Sequence, residues 1–357
     1  MIVAQPSLNL LVGTYTQSGK SEGIYVYTFD PATGASTLRG TTAAENPSFL
    51  AVSADGNHVY AANENGNGQG AVSAYAFDRG SGALRLLNQR LTGGDAPCHV
   101  TTDHRGSHVI LSNYSGGSVS VFTIGQDGSL GPLKQLIQHS GSGPDQSRQQ
   151  APHVHSAFFS PDEKRIYVQD LGTDKVHIYD FFPEAANPLV SAAQPFAMGE
   201  PGGGPRHLAL SADGSILYLV QEMTARVRVF RQQQGRLTPI QDVEMNEPGF
   251  AGQNGAADIK LSPDGRFLYA SNRGEAHTLA IYRVNAADGT LTKIGNQPVL
   301  GKEPRNFTLS PDGRFLLVGN QKSDEVVIFS RDADTGLLTD TGHRITVPEP
   351  VCLVFAE

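Results

Sequence analysis

The chain has 357 residues: 27 Lys and Arg against 35 Asp and Glu for a formal charge of −8, with 40 Gly, 21 Pro, 2 Cys and no Trp. Two cysteines exclude a disulfide framework and a cysteine-based zinc site. The acidic balance without a basic run excludes a nucleic-acid surface, and no apolar stretch is long enough for a membrane-spanning helix.

In chain order, Met-Ile-Val-Ala-Gln-Pro at the start is too short for a secretory signal. A cytoplasmic location is expected, with the periplasm as the alternative if a leader has been removed. Residues 10–30 hold LLVGTY and GIYVYTFD, two apolar strands with no strand ahead of them. A repeated unit follows: an apolar strand, a Ser-Pro-Asp-Gly-like turn, a second strand, then a loop and a third. It reads NPSFLAVSADGNHVY from 46, APCHVTTDHRGSHVI from 96 and HVHSAFFSPDEKRIY from 153. It returns as GPRHLALSADGSILY from 204, AADIKLSPDGRFLY from 256 and EPRNFTLSPDGRFLL from 303. The residue before each turn falls at Ser53, Asp103, Ser160, Ser211, Ser262 and Ser310, at intervals of 50, 57, 51, 51 and 48. An Asp side chain that bonds its own backbone and a Gly that accepts positive φ make such turns. Third strands are expected at 72–77, 119–124, 176–181, 227–230, 279–284 and 326–329, each leading to an outer strand, and no helix of ten residues is expected.

Four strands per unit with a period near 50 predict an all-β, seven-bladed β-propeller of four-stranded antiparallel blades. Six units are complete. The seventh is split: Pro350-Val351-Cys352-Leu353-Val354-Phe355 matches Pro47-Ser48-Phe49-Leu50-Ala51-Val52 and supplies the strand missing at the start. The ring should close by the C-terminal strand joining the N-terminal blade, so that 1–357 form one domain with blade 1 made of about 10–40 plus 348–357. The two or three domains that length alone suggests give way to one ring of 51 residues per blade.

In a propeller the first strand of each blade lines the channel, and the second returns to the same mouth. The start of the first strand reads Val351, Ser48, Cys98, His155, Arg206, Ala257 and Arg305 around the ring. The end of the second reads Tyr15, Glu64, Tyr114, Leu171, Glu222, Arg273 and Gln321. Positions that only pack should resemble one another between blades; these differ, and His155, Arg206, Glu222, Arg273 and Arg305 concentrate charge on blades 4 to 7. The longest connection, 138–150, is polar and precedes Pro152-His153-Val154-His155, so it is a candidate binding loop. His153 and His155 share a strand face by alternation, but no third ligand stands near them, so no metal is expected. His207, on the opposite strand face, is expected in the core, bonded to backbone. Gly202-Gly203-Gly204 is a candidate backbone cradle.

Arg148-Gln149-x-x-Pro152-His153-x-His155, Gly204-Pro205-Arg206-His207, Ser271-Asn272-Arg273-Gly274 and the opening Val12-Gly13-Thr14-Tyr15-Thr16 with Gly23-Ile24-Tyr25 resemble the seven-bladed propeller lactonase family. That family includes cycloisomerase-type 6-phosphogluconolactonases and fungal 3-carboxy-cis,cis-muconate lactonizing enzymes, and the resemblance spans essentially the whole chain. It implies a catalytic group of His155, Arg206, Glu222 and Arg273 and no cofactor or metal. Ala257-Asp258 departs from the expected Ala-Glu pair.

The expected function is hydrolysis of a small anionic lactone, first of all 6-phosphogluconolactone to 6-phosphogluconate. Glu222 or His155 would be the base and Arg206 or Arg273 the oxyanion partner. Arg148, His153, Arg305, Glu64 and Tyr114 would bind substrate, with the 202–204 backbone a further phosphate contact. The alternatives are a carboxymuconate cycloisomerase and a non-catalytic binding propeller; a WD-type repeat is excluded because Trp is absent. A monomer or weak homo-oligomer is expected.

Overall fold

The computed structural model describes residues 7–356. Among these residues every strand belongs to one of seven four-stranded antiparallel sheets, and the helical content is two short 3-10 turns, Leu171–Thr173 and Gln321–Ser323. The seven-bladed propeller is therefore the fold. The first blade pairs Pro350–Ala356 with Leu8–Thr14, followed outward by Gly23–Phe29 and Ser36–Ala43. The last strand of the chain thus closes the ring by completing the first blade. Among the described residues no helix is long and apolar enough to cross a membrane.

The turns do what their residues dictate. Ser53, Ser160, Ser211 and Ser310 donate their hydroxyls to Asp55, Asp162, Asp213 and Asp312 at 2.5–2.7 Å. The left-handed position is glycine in most of these turns, with φ of 71° at Gly56 and 69° at Gly214. In the Pro-Asp-Glu-Lys turn Glu163 takes it instead, at φ 52°.

Each joint between neighbouring blades holds one apolar cluster. The closing joint between blades 7 and 1 packs Leu10, Val12, Phe29 and Leu353 against Phe315, Leu317 and Ile328, so closure is held by the same burial as the other joints. The recurring Tyr of the second strand braces some of these joints: Tyr60, Tyr218 and Tyr269 donate across to the carbonyls of Gly128, Gly289 and Gly336.

The register shows how the channel mouth is built. In every blade the pairing of first and second strands slips near the start of the first strand: at Ser48, Cys98, His155, Arg206, the pair Ala257 and Asp258, Arg305 and Val351. A bulge re-aims the side chain it carries. These positions are the first column read from the sequence.

Beneath the mouth, polar groups join several blades. His207 Nδ1 lies 2.9 Å from Asp258 Oδ1, Asn306 donates to Asp258 Oδ2 at 2.7 Å, and Leu353 N donates to Asn306 Oδ1 at 2.7 Å. His207 is in the core as expected, but its partner is a carboxylate rather than backbone, because the Asp258 bulge brings that side chain under blade 5. Asp258→Ala would leave buried His207 and Asn306 without their acceptor and is expected to destabilise the fold by roughly 3 kcal/mol. Thermal melting checks this, and a melting temperature unchanged within about one degree would contradict it.

Candidate active site

The mouth opens into a cavity of about 250 Å³ lined by Tyr15, Glu64, Cys98, Tyr114, Arg148, His155, Glu222, Arg273 and Arg305. Both sequence columns contribute to it. Leu171 and Gln321 do not, since their strands end in 3-10 turns there.

One wall is organised by Glu222, 7% exposed. Its Oε2 accepts from Arg206 Nε at 3.0 Å and lies 3.0 Å from Arg273 Nη2; its Oε1 accepts from Arg148 Nη2 at 2.8 Å. Arg206 also donates to the Ala257 carbonyl at 2.6 Å and Arg273 to the Gly255 carbonyl at 2.8 Å. Arg148 comes from the long blade 3–4 connection, whose root is fixed by buried Gln149 donating to the Leu171 carbonyl and Asp174. Arg148 also donates to the Tyr114 hydroxyl at 3.2 Å. Arg206 itself lies deeper, 2% exposed, in a narrow cleft that continues below the cavity past Cys98 and His155.

The other wall is looser. Tyr15 donates to Glu64 Oε2 at 2.9 Å, and the Arg305 guanidinium sits over the Tyr15 ring, 5.3 Å from its centroid. The carboxylate nearest Arg305 is Glu64, at 3.9 Å, and among the described residues the Arg305 guanidinium makes no hydrogen bond. A partly buried cation with unfilled donors is a seat for an anion. Across the whole site four guanidiniums face two carboxylates.

Burial by itself would raise the Glu222 carboxyl, but Arg273, Arg206 and Arg148 together hold it down at about 2. Burial, then Arg206 and further neighbouring cations, push His155 well below its ordinary value. His155 is therefore a neutral imidazole at neutral pH. Burial and the nearby Arg273 and Arg305 lower Arg206 to about 9, which leaves it a cation at neutral pH.

A family profile described as lactonase, 7-bladed beta-propeller, matches residues 9–355. The chain belongs to this family. It is 35% identical over 347 residues to a 6-phosphogluconolactonase of Bacillus subtilis, covering 96% of this chain and 97% of that one. The crystal structure of a Bacteroides fragilis protein covers all of both chains at 44% identity with a TM-score of 0.95. The periplasmic gluconolactonase of Pseudomonas aeruginosa matches with a TM-score of 0.94 at 40% identity, over 99% of each chain.

In this propeller lactonase most of the residues singled out by sequence meet at one cavity, and two features depart from expectation. His153 does not line the cavity. Its N–H is tied to Asp170 Oδ1 at 2.9 Å, its Nδ1 lies 3.1 Å from the Tyr114 carbonyl oxygen, and its ring stacks on Tyr114 at 4.6 Å. The bulge at His155 breaks the alternation that would have put both histidines on one face. The 202–204 backbone is no cradle either, since Gly202 and Gly204 donate to Asp174 at 2.7 and 2.9 Å and Gly203 to the Glu200 carbonyl. Gly204 is needed for another reason: at φ 70° it turns the chain into the strand that carries Arg206. Cys98 is buried, and burial pushes its thiol far up, so it is a poor nucleophile.

Proposed function

We propose that this chain hydrolyses 6-phosphogluconolactone to 6-phosphogluconate at the blade mouth. The observation that carries the reading is the convergence of three arginines and a neutral, buried histidine on one small cavity, with a fourth arginine, Arg206, in the cleft beneath it. The names of the 6-phosphogluconolactonase and gluconolactonase relatives support the substrate class.

Ring opening needs an activated water, a partner for the oxyanion and a hold on the substrate. His155 takes the proton from water as its oxygen adds to the lactone carbonyl carbon. Glu222 is less suited to that task, because at a pKa of about 2 it is a weak base and both its oxygens are held by arginines. Its role is to fix the three guanidiniums. Arg273, which lines the cavity, stabilises the oxyanion. As the intermediate collapses, the bond from the carbonyl carbon to the ring oxygen breaks, and that oxygen takes up, as the sugar hydroxyl, the proton that His155 accepted from water. Arg206, behind Glu222, orients it and adds to the local positive potential.

Arg305 holds the phosphate, with Arg148, Glu64 and Tyr114 shaping the rest of the substrate seat. Phosphate also answers the question of base strength. A bound dianion cancels part of the arginine field and raises His155 toward a working pKa. Arg305→Ala is expected to raise KM for the phosphorylated lactone by roughly tenfold or more with a much smaller change in kcat; a pure kcat loss would contradict that role.

The reading is tested by following acid release from freshly prepared 6-phosphogluconolactone and from gluconolactone, each corrected for spontaneous opening. Faster turnover of the phosphorylated substrate is expected. Turnover no faster than the blank on both would overturn it, and a preference for the unphosphorylated sugar would move the assignment to gluconolactone.

A further inference from the structure

Outside the cavity, the chain brings together a trio that the lactone chemistry does not use. His139 follows the outer strand Leu130–Gln138, Asp170 ends the strand Arg165–Asp170, and His177 lies in Lys175–Phe181. His139 Nδ1 is 3.0 Å from Asp170 Oδ2, and His177 Nε2 is 3.7 Å from the same oxygen. The three donor atoms all lie within 4.8 Å of one another. For metal–ligand bonds of about 2.1 Å, a tetrahedral site separates its donors by roughly 3.4 Å, so the rings of His139 and His177, whose centroids lie 3.8 Å apart, would have to splay for the trio to close on an ion.

The surroundings are those of ligands already aimed. Asp170 offers Oδ2 to the trio, while its Oδ1 accepts the N–H groups of His153 and Gly172 at 2.9 and 3.1 Å. The far nitrogen of His139 is held by the Tyr179 hydroxyl at 2.9 Å. Such outer contacts fix the orientation and tautomer of metal-binding imidazoles. His177 Nε2 is buried and has no hydrogen-bond partner, although buried polar atoms ordinarily find one. His139 and Asp170 are almost fully buried, with side chains 2% and 0% exposed, and His177 at 15% gives the cluster its opening to solvent.

The repeat provides an internal control. Strand register assigns the same three positions in every blade. In blade 3 they are Thr92, Asn113 and Ser120, where Asn113 donates to Ser120 at 2.8 Å and Ser120 to the Thr92 carbonyl at 2.7 Å. An amide and a hydroxyl are therefore sufficient to brace a blade there. None of the other six blades places a His or an Asp at these positions.

We propose that His139 Nδ1, Asp170 Oδ2 and His177 Nε2 form a site for one divalent transition cation of the zinc class, with water in the fourth position on the His177 side. Two imidazoles and a carboxylate suit such an ion better than calcium or magnesium, which favour oxygen ligands. The ion's role is structural. Through Asp170 it fixes the end of the connection that carries Arg148 to the cavity, and it takes no part in ring opening.

The test uses the full chain without an affinity tag, stripped of metal and titrated with Co²⁺ alone, then with Zn²⁺. One Co²⁺ per chain with the visible spectrum of tetrahedral coordination, displaced by Zn²⁺, is expected. His177→Ala, at the partly exposed ligand, should weaken binding by at least roughly tenfold. No tetrahedral cobalt spectrum in the wild type, or equal affinity in the folded variant, would overturn the site. If the variant does not fold, zinc-edge anomalous scattering from wild-type crystals soaked in Zn²⁺ decides. A peak among the three donor atoms supports the site, and its absence there refutes it. None of these readouts depends on lactone turnover.

Discussion

His155→Gln is expected to lower kcat/KM for 6-phosphogluconolactone by roughly 10²-fold or more, the usual range for loss of a general base. The same assignment fixes the pH profile. Burial and the surrounding arginines lower His155, so the imidazole is in its neutral, proton-accepting form above a pKa that lies below 6.5. In the wild type kcat/KM, which reports the free enzyme, should therefore rise from acid pH to a plateau reached below pH 6.5. That acid limb should vanish in the variant. An acid limb centred at or above 6.5, or one unchanged in His155→Gln, would remove His155 from the role.

Glu222→Gln should affect both stability and turnover. The wild-type carboxylate neutralises part of a cluster in which Arg148, Arg206 and Arg273 all touch it. Its removal leaves buried guanidiniums without their counter-charge, a loss of about 3–5 kcal/mol. Turnover should fall at least tenfold, because Arg206 and Arg273 lose the acceptor that orients them. Inorganic phosphate should raise the melting temperature of the variant more than that of the wild type, since a bound anion replaces the missing charge. The pH dependence has a definite sign. Glu222 has its folded pKa depressed to about 2, so its contribution is fully present above its ordinary value and is lost as pH falls toward 2. A variant that melts like the wild type, with or without phosphate, would contradict this account of the wall.

Much of the fold could be read from residues because each blade repeats the same local chemistry. The Ser-Pro-Asp-Gly turns, the alternating strands and the match between residues 350–355 and 47–52 all act over short range. The two columns could be read for the same reason, since a fixed offset from each turn identifies the residue nearest the axis. What could not be read is what depends on partners far away in sequence. Alternation placed His153 beside His155, but the bulge at His155 separates them, and nothing in a Pro-His-x-His string encodes that slip. The Gly202–Gly204 run looked free to meet a ligand until Asp174, 28 and 30 residues away, took the amides of Gly202 and Gly204. Arg148 could be named from a motif, yet its hold on Glu222, 74 residues away, exists only in the folded ring. His139, Asp170 and His177 belong to three separate strands and connections, so no linear spacing announces them.

The central claim is that the arginine-lined mouth is where an anionic lactone is opened. It is tested most directly by kcat/KM of Arg273→Ala on fresh 6-phosphogluconolactone, measured beside the wild type with melting curves for both. A fall of about 10²-fold, the size expected for loss of an oxyanion partner, with the fold retained, is the result predicted. A folded Arg273→Ala protein whose kcat/KM stays within about twofold of the wild type would contradict it.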